Sequence, residues 1–476
     1  MISTTQDPFI GGKNKSGNAG LREVIDPFDG SKVGVVTYAD QVQAAGAVAN
    51  SAEVFSRFRT TPAHIRAEIL SRTSALIAER RDELALMIVR ESGKPITLAK
   101  VEVDRAVFTF KAASEATHRA GEGEVIDMSV SATGVGRTGS FRYFPIGIVL
   151  AITPFNYPLN LVAHKVAPAI AAGNTVVLKP APQTPLTSLM LSEMMQEAGL
   201  PDGVLNVVPC ENEVAESLVR DDRIAMVSFT GSDAVGWKLK SIAGRAKVAL
   251  ELGGNGCVIV NDANSLEQVS QTLARAAFNY AGQICISLQN LLVRREHFPA
   301  MLEMMISQAK QIEVADPKLA ETILGPMISE AAAQKVESWI DAAVKAGATR
   351  HCGAYQAPNS ITPTVLSNVA HDSELYQNEA FAPVVVIQPY DSFDEAISLV
   401  NASKYGLQAG LFSNDIRLIH QAYEQLEVGG LIVNDANSFR LDTMPYGGIK
   451  SSGIGRVGII FAMREMSEVK MLVIRP

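Results

Sequence analysis

The chain has 476 residues, enough for about two or three domains. Nearly half are apolar, so material for large cores is ample, and a formal charge of −8 leaves no basic face, which argues against nucleic acid as a partner. Cys210, Cys257, Cys285 and Cys352 stand far apart, with no CxxC pair and no dense framework, so neither a metal site nor a secreted disulfide scaffold is expected. Residues 1–20 lack the basic-then-apolar pattern of a signal peptide, and no apolar run reaches the roughly 18 residues of a membrane helix. A soluble protein of the reducing cytoplasm, with no membrane partner, is the expectation.

Residues 39 to about 94 read as two or more amphipathic helices, because Ile65, Ile69, Leu70, Leu76, Ile77, Leu84, Leu86 and Met87 recur at spacings near three and four. Ser92-Gly93-Lys94-Pro95 is a stop signal, and a further helix is expected from about 96 through 119. Residues 121–144, rich in Ser, Thr, Gly and Val, read as exposed β-ribbon, and residues 469–474 as a terminal strand. Such apolar edges need a cover, for which another subunit is one solution. From Ile146 the pattern alternates. Apolar runs at 148–152, 175–178, 204–208, 225–229 and 247–250 are separated by helical segments such as 186–198 and 234–242. That is βαβ repetition and predicts a covered parallel sheet. A second α/β pattern runs from 256 to about 433.

Five stretches carry candidate chemistry. Gly282-Gln283-Ile284-Cys285-Ile286-Ser287 holds a cysteine that reads as a nucleophile, although a lone cysteine is more commonly a small buried hydrophobe and no histidine is an evident partner. Thr153-Pro154-Phe155-Asn156-Tyr157 follows a strand, and the Asn156 amide there can hold an oxyanion or merely shape a turn. Lys179 leaves another strand end, suited to a ribose hydroxyl or phosphate, or simply solvated. Phe229-Thr230-Gly231-Ser232 opens a helix whose free N–H groups suit a phosphate; it has neither the usual dinucleotide glycine spacing nor a P-loop lysine. Glu251, inside an apolar run before Gly253-Gly254, is either a general base or a hinge carboxylate in an ion pair.

In this order, together with Asn378-Glu379-x-Phe381-x-Pro383 and Pro445-Tyr446-Gly447-Gly448-x-Lys450-x-Ser452-Gly453, these residues resemble the aldehyde dehydrogenase superfamily over essentially the whole chain. The resemblance implies an α/β fold with a Rossmann-like cofactor domain (1–121 and 145–253), an α/β catalytic domain (254–468) and a β-ribbon oligomerisation element (122–144 and 469–476). It also implies a homodimer or homotetramer. Cys285 would attack an aldehyde, and its own N–H and the Asn156 amide would hold the oxyanion. Hydride would pass to the nicotinamide, leaving a thioester that Glu251-activated water would hydrolyse. Thr153, Pro154, Phe155, Lys179, Pro182, Gly231, Ser232, Glu251, Leu252, Glu379 and Phe381 would line the cofactor. Pro182 stands where many NAD-preferring relatives carry Glu, which removes one barrier to NADP. No nearby arginine recruits a 2′-phosphate, so NAD is expected, with NADP open. Ala382 for the usual Gly, and Val457 where Glu often follows, are tolerable departures.

Arg105, Tyr157 and Arg440 occupy positions like those used by relatives acting on small anionic aldehydes, whereas Ile284 and Ile286 beside the cysteine supply no charge. The implied substrate is lactaldehyde, a sulfo- or phospho-bearing three-carbon aldehyde, or a semialdehyde. The alternatives are a CoA-acylating enzyme, which usually lacks the Glu251 equivalent, an ester hydrolase, and a catalytically silent protein of the same fold.

Overall fold

The computed structural model describes residues 5–475; Met1 to Thr4 and Pro476, assigned above to the first and last elements, lie outside the described residues. Three strands, Thr5–Gln6, Leu21–Ile25 and Lys32–Thr37, form a small sheet that hydrophobic patterning does not announce. The helical stretch resolves into Gln41–Phe58, Ala63–Glu79, Arg81–Ser92 and Ile96–Ala116. Asp40 and Gln43 form a capping box at the first. Gly93 ends the third with φ 69°, and a Cβ there would meet the Pro326 ring at 2.9 Å.

The first large sheet runs Gly453–Ile454, Lys247–Glu251, Ile224–Thr230, Ile148–Ile152, Thr175–Lys179, Leu205–Val207. Its strands are parallel except Gly453–Ile454, which returns from near the end of the chain and pairs antiparallel, Glu251 opposite Gly453. Ile148–Ile152 and Thr175–Lys179 are buried throughout, as near-continuous apolar strands with both faces covered must be. Helices Asn160–Ala172, Pro185–Glu197, Asn212–Val219 and Asp233–Ile242 supply cover. Strand order reverses between Ile148–Ile152 and Ile224–Thr230. That switch point opens a crevice at the carboxyl ends of the strands, where ligands of open α/β sheets bind.

The second sheet has seven strands in the order Thr349–Cys352, Thr364–Ser367, Val384–Tyr390, Asn290–Arg294, Cys257–Val260, Gln408–Phe412, Gly430–Val433, parallel apart from the first pair. The expected ribbon is Gly123–Ile126 with Thr138–Pro145, and Ser467–Ile474 adds to its outer edge. Val125 and Leu472 on this element are exposed.

Candidate active site

The cysteine loop is held in an unfavourable backbone shape. Helix Leu266–Phe278 ends, and Tyr280 and Ala281 follow at φ 52° and Gly282 at φ 65°. Left-handed conformations cost non-glycine residues energy and persist only where packing over-determines them. Tyr280 is buried, Gln283 accepts from the Ile328 N–H at 2.9 Å through its side chain, and a Cβ on Gly282 would lie 2.0 Å from the Ala382 carbonyl. The loop thereby presents Cys285 to a cavity of about 650 Å³.

Asn156 and Glu251 face the same cavity. Asn156 Nδ2 donates to the Gln283 carbonyl at 2.9 Å, and its buried Oδ1 has no partner among the described residues. An amide has a second N–H, so one donor stays available beside the thiol. Glu251 ends a strand and meets Lys165 Nζ at 3.1 Å, both side chains nearly inaccessible. Burial works against its charge, but Lys165 and Arg440 together hold the carboxyl below its ordinary range, and Oε2 lacks any partner among the described residues. For Cys285 burial wins and pushes the thiol up, opposed by a hydrogen bond with the Tyr446 hydroxyl at 3.0 Å and by the Arg440 charge.

Every residue expected to touch the cofactor lies on this cavity: Thr153, Pro154, Phe155, Lys179, Pro182, Gly231, Ser232, Leu252, Glu379 and Phe381. Lys179 is buried, which lowers its pKa, and its Nζ lies 3.5 Å from Asn212 Oδ1. Ser232 precedes helix Asp233–Ile242 and makes no side-chain cap bond. Glu379 Oε1 accepts from the Gly254 N–H at 3.1 Å, and a Cβ on Gly253 would strike Glu379 Oε2 at 2.0 Å, so the Gly-Gly turn is what lets this carboxyl in. Burial raises the Glu379 carboxyl to about 8. Phe381, at φ 51°, meets Phe155 edge-on at 5.9 Å. A long crevice with a helix N-terminus, a buried lysine and an orphaned Thr230 hydroxyl suits a dinucleotide. These residues would hold NAD(P), which supplies the hydride acceptor.

The two arginines expected at the substrate differ sharply. Arg105 grips Asp442 with a fork of 2.6 and 3.2 Å. Asp442 also accepts from Asn160 at 3.1 Å and from His164 Nε2 at 2.7 Å. Burial pushes His164 down to about 4, so its imidazole is neutral and donates through Nε2, leaving Nδ1 buried and unpaired. Arg440 forms no ion pair among the described residues; its guanidinium lies 3.8 Å over the Tyr446 ring and its buried Nε is unsatisfied. Tyr157 packs edge-on against Tyr280, with Lys94 Nζ 3.6 Å over its ring and Arg105 at 5.7 Å. Ile284 and Ile286 pack with Tyr446, Leu407 and Val457 and bring no charge.

Sequence reasoning misses Lys165, the Tyr446 contact, and the Asp442–His164 pair. Lys165 has a signal, being a cation in the helix Asn160–Ala172 whose residues are otherwise almost all apolar and all buried. Tyr446 stands in the Pro-Tyr-Gly-Gly motif, but nothing local pairs it with Cys285, and Asp442 has no signal, since its partners lie far along the chain.

An α/β chain whose two mainly parallel sheets flank a crevice holding a thiol, an amide and a carboxylate belongs to the class of dinucleotide-dependent oxidoreductases. The chain belongs to the aldehyde dehydrogenase family: residues 14–472 match the model described as "Aldehyde dehydrogenase family". It is 40% identical over 450 residues to aspartate-semialdehyde dehydrogenase 1 of Pseudomonas canavaninivorans, covering 94% of this chain and 96% of that one. The 3-sulfolactaldehyde dehydrogenase of Priestia aryabhattai is 40% identical over 455 residues, 95% of this chain and 94% of the relative. The crystal structure of aldehyde dehydrogenase 21 from Physcomitrella patens, in complex with the reaction product succinate, superposes with a TM-score of 0.97 at 37% identity, covering 100% and 99% of the two chains. The enzyme is an NAD(P)-dependent aldehyde dehydrogenase. Among the described residues no helix is long and apolar enough to cross a membrane.

Proposed function

We propose that the chain oxidises a short anionic aldehyde to its acid, with Cys285 as nucleophile. The observation that carries the substrate class is Arg440: a cation near the thiol with no carboxylate in direct contact with it among the described residues. Uncompensated charge in a partly dry site is costly, and a substrate anion is the natural counter-ion. Arg105 has already given its fork to Asp442 and serves rather to fix the loop that carries Arg440. The two relatives and the succinate complex are named for a semialdehyde, a sulfonated aldehyde and a dicarboxylate, which supports the reading. Sulfolactaldehyde, phosphorylated three-carbon aldehydes and semialdehydes rank above lactaldehyde on this ground.

Chemically, the Cys285 sulfur adds to the carbonyl carbon, and the free Asn156 N–H with the Cys285 N–H steadies the oxygen. The residues lining the crevice would hold the nicotinamide that accepts the aldehyde hydrogen as hydride, and Glu251 takes a proton from the water that hydrolyses the resulting thioester to the acid. Its unpaired Oε2 is the atom free for that task, while Lys165 fixes the other oxygen. The presence of Glu251 favours hydrolysis over transfer to CoA. For the cofactor, no arginine among the described residues lines the cavity beside Pro182 and Gln183 to recruit a 2′-phosphate, so NAD is the expectation, with NADP open. Residues 1–121 with 145–253 are read as the cofactor domain, 254–468 as the catalytic domain, and 122–144 with 469–476 as an oligomerisation element. The exposed apolar strand Ser467–Ile474 supports a dimer or tetramer, and free cysteines suit the cytoplasm. Turnover of anionic and neutral aldehydes, with NAD and NADP side by side and with or without CoA, tests the proposal. Faster turnover of neutral aliphatic or aromatic aldehydes would reject the substrate class.

A further inference from the structure

Among the described residues no histidine bonds to the nucleophile. The one histidine in this region, His164, is neutral and commits Nε2 to Asp442. The polar side-chain atom on the sulfur is the Tyr446 hydroxyl, at 3.0 Å. Tyr446 is 3% exposed, and a buried phenol needs a partner; Cys285 is the one it has among the described residues. Its backbone and ring are both held in place. Backbone bonds pair it with Val457 in both directions, at 3.0 and 2.8 Å, and Ile286 and Leu407 pack with it. On one face lies the Arg440 guanidinium, 3.8 Å from the ring centroid.

We propose that Tyr446 is a catalytic residue whose hydroxyl donates to the Cys285 sulfur and favours the thiolate, with Arg440 on its ring as the positioning cation. A thiolate can only accept, so ionisation turns an ambiguous contact into a directed O–H···S⁻ bond. The proton lost by the thiol passes to water in the open cavity. A cation against the π face draws electron density from the phenol and makes it the better donor. The charged and titratable groups around the sulfur are few. Glu251 and Glu379 oppose the thiolate, Arg440 favours it, and Tyr157 and Tyr446 are themselves pushed up by burial. Of these, Tyr446 touches the sulfur and can be changed without altering net charge.

This inference rests on Cys285 being the nucleophile, but its test needs no substrate. The pH dependence of Cys285 alkylation by iodoacetamide is read on the apo enzyme by peptide mass spectrometry, for wild type, Tyr446→Phe, and protein carrying 3-fluorotyrosine at 446. Tyr446→Phe should raise the apparent thiol pKa by about one unit, a roughly tenfold slower alkylation near neutral pH. Fluorotyrosine, a stronger donor, should lower it. The acid limb of kcat/KM with an aldehyde should move with each. Thermal midpoints confirm that each protein is folded. An unchanged or lowered thiol pKa in Tyr446→Phe, or the two variants moving in the same direction, overturns the proposal. Loss of turnover in Cys285→Ala addresses the nucleophile separately.

Discussion

Replacing Arg440 with methionine keeps much of the side-chain bulk and removes the charge. The guanidinium forms no direct ion pair among the described residues, so a substrate anion within about 4 Å would gain about 4 kcal/mol by Coulomb's law at an effective dielectric near 20. Stripping water from both ions takes back part of this, and measured hydrogen bonds to charged groups net about 1.5–3 kcal/mol. Arg440→Met should therefore lower kcat/KM for an anionic aldehyde by about 10–150-fold. Arg440 also acts on the thiol, so the decisive quantity is a ratio. Initial rates of reduced-nicotinamide formation are compared for succinic semialdehyde and for a neutral aldehyde of the same shape. Any effect through the thiol divides out. Arg105→Met should change this ratio by less than about threefold, because that arginine's fork is already filled by Asp442. An Arg440→Met enzyme with an unchanged ratio, or an equal response from Arg105→Met, would refute the reasoning.

Three other outcomes are expected. Cys285→Ala should abolish both dehydrogenase and esterase activity while leaving NAD(P) binding, measured by calorimetry, within about threefold of wild type; residual aldehyde turnover would contradict the nucleophile assignment. Lys165→Met should destabilise the fold in a pH-dependent way. In wild type the Glu251 carboxyl is held low, so its contribution to stability is present above an unfolded value of about 4.3 and is lost as pH falls through the folded value. Without Lys165 burial dominates and lifts the carboxyl. The variant then keeps its stability below the unfolded value and loses it as pH rises, by up to about 3–5 kcal/mol. Unfolding midpoints should thus separate from wild type more at about pH 8 than at about pH 5, and a constant gap would count against the pair. Gly253→Ala should raise KM for NAD(P) at least about tenfold, since its Cβ would strike the Glu379 carboxyl; cofactor titration by fluorescence checks it.

Much of this architecture is legible in one dimension. Ile148–Ile152 and Thr175–Lys179 announce themselves because strands buried on both faces are written as unbroken apolar runs. The stop at Gly93 is likewise local, as only glycine takes that backbone shape without strain. Helix Asn160–Ala172 shows the opposite: all its residues are buried, so it has no polar face and no amphipathic period to read. At the site, the residue types are visible but their partners are not. Nothing in the spacing says that Arg105 is spent on Asp442 and that Arg440 is left free, because that division is decided by contacts 337 residues apart. The small sheet around Lys32–Thr37 is hidden for a related reason. Its outer strand Leu21–Ile25 is mostly exposed and so lacks a clear apolar face.

The strand Gly453–Ile454 has a consequence for how the chain is made. The outer edge of Lys247–Glu251 has no neighbour until a segment synthesised about 200 residues later arrives to pair with it. At roughly 5–20 residues per second on the ribosome, that edge stays open for about 10–40 s. An apolar strand with free N–H and C=O groups is a template for the wrong neighbour during that interval. Of the two large sheets, the cofactor-side one is therefore finished last although it is begun first. A fragment ending after Glu251 would carry the crevice's first wall with its margin unsealed, and the nascent enzyme is at its most vulnerable to stray pairing while its second sheet is still being translated.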